Sequence, residues 1–87
     1  MEANDWALLK LLITYLEHED PEVQCVALYD IGEFARFFPN GRVIAKSLGA
    51  KDQALALIGS DNEDVQRQAL ACTSKILVNS YSMMLSS

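Results

Sequence analysis

The sequence repeats itself at long range. Val23-Gln24 returns as Val65-Gln66 and Ala27-Leu28 as Ala69-Leu70, a displacement of 42 positions. The same displacement lays Asp20 over Asn62 and Glu22 over Asp64, and Ile13, Leu16 and Phe34 over Leu55, Ile58 and Ile76. Helix-start signals and apolar positions therefore recur together. A period of this size, filled by a short, a medium and a long helix, is the arithmetic of armadillo and HEAT arrays, whose units bury their apolar faces only against neighbours. The expected fold is all-α: an armadillo/HEAT-like right-handed helical solenoid fragment of about five helices.

Local signals place those helices. Trp6, Leu9, Ile13 and Leu16 recur at spacings of three and four, with Leu8, Leu12 and Tyr15 alongside, which predicts an amphipathic helix capped by Asn4 or Asp5. Asp20-Pro21-Glu22 supplies a cap, a proline at the first helical position and an acidic first turn for a second helix. That helix carries Val23, Val26, Ala27, Ile31, Phe34 and Phe38 as its stripe and ends before Pro39. After the Asn40-Gly41 turn, a short helix over 42–48 is closed by Gly49, and a further one over 51–58 carries Ala54, Leu55 and Ile58.

Asp61-Asn62-Glu63-Asp64 opens the last long helix, with Val65, Ala69, Leu70, Cys72, Thr73, Ile76 and Leu77 as its stripe. The tail with Tyr81, Met83, Met84 and Leu85 either extends this helix or frays. The organisation is one helical-repeat domain over 1–87: a partial repeat at about 5–38, a full repeat at about 40–79 and a tail at 80–87. This is fewer than the roughly three units an array usually needs, so the chain is expected to be the end of a longer solenoid. Trp6 and Leu8 at one end, and Met83-Met84-Leu85 at the other, are expected to cover surface there or to support self-association.

Composition narrows the function. At 87 residues and 9.7 kDa there is room for one core, not for separate cofactor and substrate modules. A formal charge of -5 and a pI of about 4.6 leave no basic footprint for nucleic acid or an anionic membrane surface. The apolar stretch from Trp6 to Leu16 is broken by Lys10 and falls short of the roughly 20 residues that span a bilayer, so no direct membrane insertion is expected. An acidic start without an export signal, and two distant cysteines, predict a reducing cytosolic or nuclear setting.

No catalytic, cofactor-binding or metal-binding set is expected. His18, the one histidine, stands between Glu17 and Glu19 in a turn and has no cysteine cluster beside it. Cys25 and Cys72 have no histidine placed to activate them and read as structural thiols. Asp30 falls about 20° from the centre of the second helix's stripe, counting helical turns from Val23. A carboxylate there requires a partner, so a structural clamp to Arg42, or to the backbone N–H groups opening the short helix, is expected, with a binding contact as the alternative. On the far side, Glu22, Cys25, Tyr29, Gly32, Glu33 and Arg36 line up with Asp64, Arg67, Ala71, Ser74, Lys75 and Val78 one period on. Tyr29, Glu33, Arg36, Arg67 and Lys75 form the candidate protein-contact face, the alternative being a solvated surface with ordinary i,i+3 pairing.

Particular segments carry a resemblance. Leu8-Leu9-Lys10-Leu11-Leu12, Asp20-Pro21-Glu22-Val23, Tyr29-Asp30-Ile31-Gly32-Glu33-Phe34, Pro39-Asn40-Gly41-Arg42-Val43-Ile44, Leu48-Gly49-Ala50-Lys51 and Asp64-Val65-Gln66-Arg67-Gln68-Ala69-Leu70 follow one another in order and spacing. Nearly the whole chain thereby resembles the C-terminal domain of the H subunit of the V-type proton-pumping ATPase. The resemblance implies a non-catalytic regulatory subunit on the cytosolic face of acidic organelles, partnered by other ATPase subunits of the peripheral sector and stalk. It also implies a domain that restrains ATP hydrolysis when the peripheral sector is detached from the membrane sector. The family's domain is longer on its N-terminal side, so this chain corresponds to its terminal repeats. Without the resemblance, the residues equally describe a general armadillo or HEAT adaptor for another protein.

Overall fold

Asp20 starts the central helix as its sequence requires. Its backbone is extended (φ -79°, ψ 119°), and its carboxylate accepts the Glu22 N–H at 2.9 Å, with Pro21 following at the first helical position. In the computed structural model, which describes the backbone of residues 2–38 and 40–86 and the side chains of 7–38 and 40–77, the helices are α1 (Glu2–Tyr15), α2 (Pro21–Phe37), α3 (Gly41–Ser47), α4 (Ala50–Leu57) and α5 (Glu63–Ser86). The architecture is the all-α helical-repeat fragment expected. No strand occurs among the described residues.

The stops also have local causes. Phe38 is extended (φ -93°, ψ 138°), the geometry imposed on a residue that precedes a proline, and α2 ends there. Gly49 has φ 89°, a left-handed conformation that a side chain would strain, and it both closes α3 and opens α4. The Asn62 side chain accepts the Val65 N–H at 3.1 Å, so α5 is capped at the position one period after Asp20. At the amino end the expectation is corrected. Glu2 to Asp5 are helical, so neither Asn4 nor Asp5 is a cap; no proline or glycine stands there to stop the helix. The tail continues α5 to Ser86, while the side chains of Trp6, Tyr81, Met83, Met84 and Leu85 lie outside the described residues.

α2 is the centre of the stack. It packs against α1, α3 and α5, and α4 packs against α3 and α5. Its buried arc is accordingly wide, comprising Ala27, Leu28, Ile31, Gly32, Phe34 and Ala35. Leu9, Leu12, Ile13 and Leu16 of the first segment meet it, and Val65, Ala69, Cys72 and Ile76 of α5 complete the core. Each fully buried Leu or Ile here, such as Leu28 and Ile31, contributes about 1.5–3 kcal/mol.

This arc is not the stripe read from spacing. Val26 and Phe38 are exposed and Val23 is half-buried, whereas Leu28, Gly32 and Ala35 are inside. A helix covered on both sides buries about half its circumference, and a single stripe centred near Val23 misplaces the centre by roughly a quarter of a turn. Leu8, Tyr15, Leu55, Leu70 and Leu77 are exposed as well. The assembly is a slab of 39 × 31 × 16 Å, thin enough that its flanking helices, each about 10 Å across, keep one side bare.

Candidate functional site

Residues one period apart face each other where α2 and α5 run side by side. Lys75 Nζ donates to Glu33 Oε2 at 2.7 Å, and the same ammonium lies 4.5 Å from the centroid of the Tyr29 ring. Arg36, one turn along α2, reaches Glu33 Oε2 at 3.5 Å, and its guanidinium stands 5.1 Å from the Phe37 ring centroid. The four residues Tyr29, Glu33, Arg36 and Lys75 thus form one connected surface of cation–π and charge-assisted contacts. The hydrogen bond from Lys75 is the main reason the Glu33 carboxyl titrates below its ordinary 4.5; partial burial is the next largest effect and opposes it, while the charges of Lys75 and Arg36 assist.

Gly32 sets the spacing of this surface. A Cβ on it would fall 2.7 Å from Lys75 Cδ and 3.6 Å from Cys72 Cα, so the bare backbone lets α5 approach α2 closely and brings the lysine stem over the helix. Gly32 is buried, so it belongs to the helix contact and not to the exposed ladder expected from its spacing.

Arg67 stands apart from the other four. It pairs with Asp64 at 3.1 Å on its own helix and borders an open groove of about 420 Å³ between the first turns of α2 and α5. Cys25 is half-buried in that groove, its thiol pushed up first by burial and then by the charges of Asp64 and Glu22. Burial pushes Cys72 further, to about 11. His18 is exposed, and its Nδ1 accepts the Asp20 N–H at 3.0 Å, which ties the turn to the α2 cap. Among the described residues no three His, Cys, Asp or Glu side chains gather at metal-binding range.

The expected clamp between Asp30 and Arg42 does not form. Asp30 is exposed because the buried arc of α2 is centred on the side of Leu28 and Ala35, which turns Asp30 outward. Arg42 instead donates from Nε to the Lys75 carbonyl at 2.9 Å, tying α3 to α5. Two residues escape the periodicity argument. Phe37, on this surface, is 70% exposed beneath Arg36, and Gln24 ties the first turn to α2 by donating to the Leu16 carbonyl at 3.0 Å. An aromatic next to the helix end, just before Phe38-Pro39, is the only sequence signal that marks Phe37.

A protein-family profile describing the H subunit of the V-ATPase matches residues 1–81. Among curated proteins, a Caenorhabditis elegans protein, named as the first of its probable V-type proton ATPase H subunits, is 39% identical over 79 residues, covering 90% of this chain and 18% of that protein. A protein of Oryza sativa subsp. japonica, named as a probable V-type proton ATPase H subunit, is 32% identical over 78 residues, covering 88% and 17%. The V-type proton ATPase H subunit of Drosophila melanogaster is 29% identical over 82 residues, covering 93% and 18%. The chain spans less than a fifth of the length of these relatives.

Proposed function

The chain belongs to the family of V-ATPase H subunits, and from that membership we propose that it is a non-catalytic regulatory piece of the V-type proton-translocating ATPase. It contacts the peripheral ATP-hydrolysing sector and the stalk, and couples or restrains ATP hydrolysis and proton transport. The observation that carries this reading is the family match over residues 1–81, which includes every residue of the Tyr29–Lys75 surface. No helix among the described residues is long and apolar enough to cross a membrane, which agrees with a peripheral position on the cytosolic face of vacuolar and other acidic organelle membranes.

The α2–α5 surface is the part of the molecule suited to a subunit contact. Tyr29 is half exposed, Arg36 is exposed and reaches Glu33 only at 3.5 Å, and Lys75 is held in place by two partners. Such pre-ordered charges and an aromatic ring lose little side-chain freedom on docking. Their mixed sign selects a partner by electrostatic complementarity more than by area. The apolar residues left bare on the sides of the stack add self-association to the contacts the chain makes.

The test is ATP hydrolysis by detached peripheral ATPase sector titrated with this chain, with co-sedimentation followed in parallel. Saturable inhibition accompanied by binding, both weakened by Tyr29→Ala and Arg36→Glu, is the expected result. Binding without inhibition places the brake in other parts of the longer protein. No binding by the folded chain removes the regulatory reading in favour of an adaptor for another protein.

A further inference from the structure

Resting on the reading of the α2–α5 surface as a subunit contact, we propose that its occupant is an acidic segment of a partner protein. Arg36 receives a carboxylate of that segment at the corner where α2, α3 and α5 meet.

Three cations converge on this corner. Lys75 Nζ and Arg36 Nη1 reach the same oxygen, Glu33 Oε2, at 2.7 and 3.5 Å. Arg42 arrives from α3 and donates from Nε to the Lys75 carbonyl at 2.9 Å. The three helices pack on one another here, so the fold itself gathers the charges. Among the described residues Glu33 is the only carboxylate paired with any of the three cations. The next carboxylate back along α2, Asp30, lies on the side of α1 with Leu8 and Leu12.

The whole chain carries twelve Asp and Glu against seven Lys and Arg. Even with Asp30 counted, the corner holds three of those seven cations and two of the twelve carboxylates, and residues 78–87 bring no charge to it. The excess of carboxylates therefore lies elsewhere, so the field that repels an acidic partner over the rest of the surface steers it to this corner.

Glu33 divides itself unequally between its two partners. Its short bond goes to Lys75, the two side chains being 24% and 22% exposed, whereas Arg36 is 48% exposed and sits at the outer limit of hydrogen bonding. Exchanging that long contact for a partner carboxylate gives up an exposed i,i+3 pair of small worth and gains a two-pronged, charge-assisted bond to a guanidinium. The guanidinium is already oriented by the Phe37 ring 5.1 Å below it. A basic segment would find only Glu33, which Lys75 occupies. Tyr29 stands two turns before Arg36, about 10 Å along the helix, and half of it is exposed. An extended segment covers that distance in about three residues, so the ring takes an apolar side chain some three positions from the carboxylate.

The sign of the charge is the test. Arg36→Gln and Glu33→Gln remove opposite charges from one cluster, and unchanged far-UV circular dichroism shows that the fold is kept. In binding to detached peripheral ATPase sector, Arg36→Gln is expected to weaken the complex by about tenfold, and Glu33→Gln to tighten it by about threefold with the gain vanishing in high salt. The reverse order, or equal losses in both variants, overturns the acidic partner. Nitrogen-15 NMR at low salt, with hexaglutamate and hexalysine peptides as probes, reads the same preference without the ATPase. Hexaglutamate is expected to shift the Arg36 Nε–H and the Tyr29 amide in the wild type and neither in Arg36→Gln. If it leaves both unmoved in the wild type, or hexalysine moves them more, the proposal falls. A chain that answers hexaglutamate at Arg36 yet does not bind the sector retains the acidic partner and places it outside the pump, so the regulatory reading fails separately.

Discussion

Glu33 and Lys75 occupy equivalent places in consecutive repeats, 42 positions apart, and their side chains meet at 2.7 Å. Translation by one unit brings like positions of neighbouring helices alongside each other. The pair works only because those positions carry opposite charges.

That relationship has a pH signature. The native Glu33 carboxyl titrates below 4.5, chiefly because of Lys75, so the pair's stabilisation is present above pH 4.5 and is lost as pH falls through the lower native value. Glu33→Gln is expected to melt below wild type at neutral pH, with the gap closing in acid and shrinking in high salt. Thermal melts between about pH 3 and 7 check this, and a gap that persists in acid would assign the loss to packing instead.

Gly32 is predicted to refuse a large side chain. Gly32→Leu must displace the Lys75 stem and then meet the α5 backbone at Cys72, an overpacking cost of about 1–3 kcal/mol beyond any gain in helix propensity. Chemical denaturation measures the loss. In the milder Gly32→Ala, the flexible lysine can move aside, so the expected readout is a Glu33 carboxyl that titrates closer to its ordinary value, followed by NMR.

Asp30 and Arg42 should behave independently. Asp30→Ala is an exposed change with no partner to lose among the described residues and is expected to shift stability by less than about 0.5 kcal/mol. Arg42→Met removes a 2.9 Å bond to the Lys75 carbonyl and should cost about 1.5–3 kcal/mol. A double-mutant cycle in urea reads both, and appreciable coupling between them would restore the clamp.

Cys72 supplies an alkaline limit. Its thiol is buried and pushed from 9.0 to about 11, so it stays protonated in the native state where the unfolded chain ionises. The native-state pKa is raised, so the stability it guards is complete below pH 9 and is lost as pH climbs towards 11. Cys72→Ala should flatten the decline of the denaturation midpoint over that interval. In labelling with iodoacetamide under native conditions, Cys25 should react before Cys72.

The sequence by itself determined the units: the period shared by the two long helices, the Asp20-Pro21 and Asn62 starts, the stop before Pro39 and the αL turn at Gly49. All of these rest on interactions within a few residues, where backbone geometry and capping leave little choice. It also marked Tyr29, Glu33 and Arg36 as sharing one face of the second helix by helical spacing, and Lys75 as the repeat counterpart of Glu33. What only the tertiary structure decided is which side of each helix is covered. α2 lies between α1 and α5, so Leu28, Gly32 and Ala35 are buried while Val26 and Asp30 face out, and Leu70 is bare where its repeat partner Leu28 is sealed. Periodicity reports that a helix has an apolar side, but burial depends on the neighbours that pack against it, and those are set by stacking across the whole chain.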